Sequence, residues 1–159
     1  MSIRTTRRAA ALSLALSLTL GLSACGGGSN SDAPSQPDVY GWSAVTALKI
    51  TDTVTGTGTT AVAGSKLTVN YTGWIYDVRV ANLKGSQFDS SLNPGRLPYT
   101  LPLGAGQVIQ GWDQGLLGMK AGGTRTLIIP ASMAYGSAGS GPIPPNAALV
   151  FDVQLISVQ

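Results

Sequence analysis

Between Tyr99 and Trp112 the chain reads Tyr-Thr-Leu-Pro-Leu-Gly-Ala-Gly-Gln-Val-Ile-Gln-Gly-Trp, crowding aromatic, aliphatic and glycine residues together with no nucleophile and base among them. The whole chain has no histidine and no glutamate. Ser-His and Cys-His catalysis is therefore excluded, and a carboxylate pair for hydrolysis would have to come from the seven aspartates. The single cysteine, Cys25, rules out a disulfide within the chain and a cluster of cysteines around a metal. Gly104-Ala105-Gly106 has the composition of a phosphate loop, yet no Lys-Ser/Thr follows it and no dinucleotide pattern is completed. What remains is chemistry by shape. A dry, ring-lined cavity with one or two hydrogen-bond donors favours one geometry of a bound group over another and needs no covalent step. No cofactor and no metal is expected.

The elements that must hold such a cavity are mostly strands. Leu67-Thr68-Val69-Asn70-Tyr71 and Phe151-Asp152-Val153-Gln154-Leu155 alternate apolar and polar residues, as half-buried strands do. Thr124 to Ile129 is β-branched and apolar and ends at Pro130, and Leu48-Lys49-Ile50 is a candidate opening strand. Helical signal is confined to Trp112-Asp113-Gln114-Gly115-Leu116-Leu117, with Trp112, Leu116 and Leu117 near one face and Gly118 as a stop. Twenty-one glycines and nine prolines suit short strands and tight turns. The fold class is α+β, an antiparallel sheet wrapped on one short helix.

The N-terminal residues read as a targeting segment. Arg4, Arg7 and Arg8 precede a short apolar run, Ala9 to Thr19, and a small-residue site, the three parts of a secretory signal. Leu22-Ser23-Ala24-Cys25 is similar to the lipobox of bacterial lipoproteins, which implies cleavage before Cys25 and acylation of that cysteine. Two or more acyl chains give a stable anchor at about 0.8 kcal/mol per buried CH₂. Arg7-Arg8 does not extend into a twin-arginine pattern, so ordinary secretion is expected. Gly26 stands where an aspartate would resemble an inner-membrane retention signal, which favours the outer membrane and an exported, periplasm-facing location. Three of the ten basic residues leave with residues 1–24, and the seven that stay balance seven aspartates. No basic surface for nucleic acid is expected. Residues 25–43 read as a lipidated cysteine followed by a flexible Gly/Ser/Pro linker, and residues 44–159 as one domain. No dimerisation arm is visible, so a monomer is expected.

Five segments, in order, resemble one known family. They are Val69-Asn70-Tyr71-Thr72-Gly73, Gln87-Phe88-Asp89-Ser90-Ser91, Gln107-Val108-Ile109-Gln110-Gly111-Trp112, Ala134-Tyr135-Gly136, and Ile143-Pro144-Pro145-Asn146-Ala147-Ala148-Leu149-Val150-Phe151. Together they are similar to the FKBP-type peptidyl-prolyl cis–trans isomerases, the macrolide-binding immunophilins. The resemblance implies a five-stranded sheet curled around the helix, proline-containing polypeptide substrates and macrolide inhibitors.

Position by position, it implies a catalytic pocket of Tyr71, Phe88, Asp89, Trp112, Tyr135 and Phe151, with Trp112 as the floor under the proline ring. Tyr99, Leu101, Gln107, Val108, Ile109 and Ile143 would contact the substrate around it. Taken singly, each aromatic reads as core; the joint match assigns six of the ten aromatics to one cavity. The Tyr135 hydroxyl and the Ile109 N–H would donate to substrate carbonyls, and Asp89 would be bonded by the Tyr71 hydroxyl or Arg96. Leu101 stands where the family often has a rim aromatic, Thr72–Ser86 is longer than in small relatives, and Gly136–Pro142 is about one residue shorter. Leu101 and the altered Gly136–Pro142 loop keep a second reading open, a binding module or holdase that grips apolar segments without catalysis.

Overall fold

The computed structural model describes residues 37–159. The readings placed on residues 1–36, including the signal peptide, Cys25 and most of the linker, lie outside the described residues. Six strands form one antiparallel sheet: β1 (Lys49–Val54), β2 (Lys66–Tyr76), β3 (Lys84–Ser90), β4 (Tyr99–Pro102), β5 (Thr124–Ile129) and β6 (Leu149–Val158). The order is β1-β5-β6-β2-β3, with β4 also on β2. Five positions were expected and six strands occur because β2 is long. Residues 66–69 of β2 pair with β4 and residues 72–76 with β3, while β6 runs along the other side. Two short strands thus share one edge of β2, end to end.

The core follows the alternation legible in the sequence. Leu67 and Val69 of β2, Leu127 and Ile129 of β5, and Val153 and Leu155 of β6 are all buried, and the residues between them on each strand are more exposed. The one α-helix among the described residues, α1 (Gln110–Gly115), lays Trp112 and the following Leu116 onto this face. Leu117, expected on the apolar side, is 42% exposed: the helix has already ended at Gly115, and the chain turns away before a second helical turn is complete.

One charged residue occupies a core position. Arg125 is in phase with Leu127 and Ile129 on β5 and is 7% exposed. Its guanidinium donates Nη1 to the carbonyls of Gly115 (2.7 Å) and Leu117 (3.0 Å), and Nε and Nη2 to the two carboxylate oxygens of Asp52 on β1. A buried cation is costly unless paired and hydrogen-bonded. Here it ties the end of α1 to the edge of the sheet.

The last residues assigned to the linker do not behave as one. Tyr40 and Trp42 stack at 4.8 Å, the indole Nε1 of Trp42 donates to the Tyr76 carbonyl at 2.7 Å, and Val78 N–H donates to the Tyr40 carbonyl. Two aromatics in five residues supply enough apolar surface to hold this stretch on the domain, which moves its edge from residue 44 back to about residue 38.

Candidate functional site

A cavity of about 500 Å³ opens between α1 and the concave face of the sheet. Tyr71 from β2, Phe88 and Asp89 from β3, Tyr99 from β4, Trp112 from α1 and Phe151 from β6 converge on it, joined by Gly106, Gln107, Val108 and Ile109 from the turn before α1 and by Tyr135. Ten of the twelve residues named from the sequence therefore share one wall. Leu101 and Ile143 do not. Leu101 lies opposite Leu67 in the β2–β4 pair and is 1% exposed, two residues deeper than Tyr99 on the same face, where the core has closed over it. Ile143 is buried in the core by a tight turn in which it and Ser140 exchange backbone hydrogen bonds.

The rings stand edge to face. Trp112 meets Tyr71 at 5.2 Å and 82°, Phe151 at 5.3 Å and 83°, and Tyr99 at 6.3 Å and 72°. Phe88 meets Phe151 at 5.5 Å and 87°. Edge-to-face pairs are favourable and hold rings upright, so the space between them stays open. Gly73 makes that arrangement possible. A Cβ there would stand 2.6 Å from Phe88 and 2.7 Å from Phe151, so any side chain would displace the two rings. Its place in the first of the five segments was legible; this reason for it was not.

The polar groups divide into those already engaged and those free. The Tyr71 hydroxyl donates to Asp89 Oδ2 at 2.5 Å, and Asp89 Oδ1 accepts from Arg96 Nη2 at 3.1 Å and from the Ser90 N–H at 2.9 Å. Both partners foreseen for Asp89 are thus present, and its charge is satisfied beside the rings. Burial, then the Asp89 carboxylate, pushes the Tyr71 hydroxyl up to about 12. Burial and the nearby Asp89 charge also raise Tyr135 above the ordinary tyrosine value. Tyr135 is 37% exposed, and among the described residues neither its hydroxyl nor the Ile109 N–H has a hydrogen-bond partner within the chain. Protonated donors without a partner in the chain, the Tyr135 hydroxyl and the Ile109 N–H among them, thus belong to the residues that line the cavity. The indole Nε1 of Trp112 is buried without a partner.

Residues 57–156 match the family described as FKBP-type peptidyl-prolyl cis-trans isomerase. The chain belongs to the FKBP-type peptidyl-prolyl cis-trans isomerase family. It is 50% identical over 112 residues to the FK506-binding protein of Neisseria meningitidis serogroup A, a match covering 70% of this chain and 95% of that one. Among solved structures it is similar to AtFKBP13, with 40% identity and a TM-score of 0.60 over 70% of this chain and 93% of that one. It is also similar to FkpA from Escherichia coli, with 38% identity and a TM-score of 0.61 over 72% of this chain and 49% of that one. The family activity is peptidyl-prolyl cis-trans isomerisation.

Proposed function

We propose that the cavity on Trp112 binds an X-Pro segment of an exported polypeptide and accelerates rotation about its peptide bond, and that the enzyme works while anchored to the bacterial envelope through acylated Cys25. The observation that carries the chemistry is the pairing of an apolar, upright ring set with two free donors, the Tyr135 hydroxyl and the Ile109 N–H.

An X-Pro bond rotates over a barrier of about 18–20 kcal/mol, which is the loss of amide resonance. The planar amide is the more polar state and is better solvated by water. Surrounding it with Tyr71, Phe88, Trp112 and Phe151 removes that solvation, so the planar form loses more than the twisted form. Trp112 carries the proline ring, the Ile109 N–H and the Tyr135 hydroxyl hold flanking carbonyls, and the Tyr71–Asp89–Arg96 set fixes the wall. No proton is transferred. The same cavity accommodates a macrolide immunophilin ligand, which would compete with peptide. With Leu101 in the core, one of the two departures that favoured a non-catalytic holdase does not line the cavity, and the Gly136–Pro142 loop is the one that remains.

Two experiments test the reading. Suppression of isomerisation of a Phe-Pro tetrapeptide by a macrolide ligand supports one shared pocket; macrolide binding that leaves the rate unchanged overturns it. Incorporation of labelled palmitate in cells, abolished by Cys25→Ser together with release from the membrane fraction, supports the anchor. An unlabelled native chain overturns that part alone.

A further inference from the structure

The turn at Gly104–Gly106, whose composition suggested an anion loop, does hold an anion, one supplied by its own chain. The Asp113 carboxylate accepts the Gly104 N–H on Oδ1 at 2.8 Å and the Gly106 N–H on Oδ2 at 2.9 Å. Both glycines lie in the left-handed region, with φ of 79° and 67°, and this turns the two N–H groups toward one point. Asp113 is the residue after Trp112 on α1, and the turn leads straight into Gln107, Val108 and Ile109 on the cavity wall. One side chain thus connects the helix that carries the floor to the segment that carries the rim.

We propose that Asp113 is a positioning residue for the isomerase reaction: it sets the separation between the Trp112 floor and the Val108–Ile109 rim, and so the fit of the bound proline segment. It touches no part of the cavity itself, being absent from its lining. Without its carboxylate, the turn loses the hydrogen bonds of both the Gly104 and the Gly106 N–H. A loosened rim weakens contacts made to planar and twisted substrate alike, so the loss falls on KM rather than on kcat. A residue serving stability alone does the reverse: it lowers the active fraction, hence the apparent kcat, and leaves KM alone. The inference rests on the cavity being the isomerase pocket.

The test is steady-state isomerisation of a Phe-Pro tetrapeptide by the full chain, purified in detergent, as wild type, Asp113→Asn and Asp113→Ala. The expected result is a KM raised about threefold in Asp113→Asn, which keeps one acceptor, and about tenfold in Asp113→Ala, with kcat within about twofold of wild type. Amide exchange at Gly104 and Gly106 should speed up in both variants while β5 and β6 keep their protection. Gly106→Ala, which strains the same turn with Asp113 intact, should raise KM in the same way and serves if Asp113→Ala fails to fold. An unchanged KM in Asp113→Asn and Gly106→Ala overturns the proposal, whatever happens to apparent kcat. Absence of acceleration by the wild type would instead overturn the isomerase reading, and the two failures are distinguishable.

Discussion

Two regions of this molecule are built from the same kinds of residue and come out differently. Around Trp112, aromatic rings and a tyrosine meet an aspartate–arginine pair, Asp89–Arg96. Around Trp42, aromatic rings and a tyrosine meet another, Asp77–Arg79. In the first the rings stand edge to face around about 500 Å³ of open space. In the second Tyr40 and Trp42 lie flat on each other, 11° from parallel, with the Arg79 guanidinium 4.4 Å above the Tyr40 ring and only about 160 Å³ left open. The donors differ too: the Trp42 indole is committed to the Tyr76 carbonyl, whereas the Tyr135 hydroxyl and Ile109 N–H have no internal partner among the described residues. Residue types do not make a site; upright rings and uncommitted donors do, and flat stacking with committed donors makes a fastening.

Truncating the two tryptophans is the strongest way to break that contrast. Trp112→Ala should cost about 3–5 kcal/mol of stability and remove most isomerase activity, because floor and core are the same ring. Chemical denaturation and a peptide assay on the folded fraction measure both. Trp42→Ala should lose about 2 kcal/mol, from lost packing and one hydrogen bond, and leave kcat/KM within about twofold of wild type. Should Trp42→Ala impair catalysis as severely as Trp112→Ala, the second region would be part of the site and the distinction would fail.

Tyr135→Phe sharpens the account of the donors. Removing one hydrogen bond of about 1 kcal/mol should lower kcat/KM about fivefold with no loss of stability, since the hydroxyl bonds nothing within the chain. Equal activity in this variant would show that the Tyr135 hydroxyl is not one of the donors that matter.

The smallest expected effect is that of pH. The Tyr71 pKa is raised on folding to about 12, so its contribution to stability is complete below about pH 10 and is lost as pH climbs toward 12. Asp52 is held low by its hydrogen bonds from Arg125, so its contribution is present above about pH 4 and fades as pH falls further. With no histidine in the chain, both stability and kcat/KM should be flat between about pH 5 and 9. A bell-shaped rate profile in that window would point to acid–base chemistry that this pocket does not provide.

β2 and β6 were legible from stretches that alternate apolar and polar residues, and β5 from a β-branched, apolar run that ends at a proline. β3 was not, because Lys84–Ser90 has Phe88 as its only large apolar residue and is held by pairing with β2. β4 is four residues long and ends in a proline, too short for a period to register. Nine of the ten cavity-lining residues named from the sequence lie in the five matched segments, Tyr99 being the exception, and the rings among them look like core one at a time. Leu101 was misplaced because its neighbour Tyr99 does face the cavity, and sequence does not say how far along a strand a cavity extends. Asp113, Arg125 and Gly73 act through carboxylate geometry, carbonyl capping and the absence of a Cβ, none of which has a signature in residue type alone.

The most direct test of the central claim is the cis/trans relaxation of a Phe-Pro tetrapeptide, followed without a coupling protease, for the full chain and for Trp112→Ala and Trp42→Ala. The account predicts acceleration by wild type and Trp42→Ala, and near-spontaneous relaxation with folded Trp112→Ala. Relaxation at the spontaneous rate with folded wild type, or undiminished acceleration by folded Trp112→Ala, would contradict it.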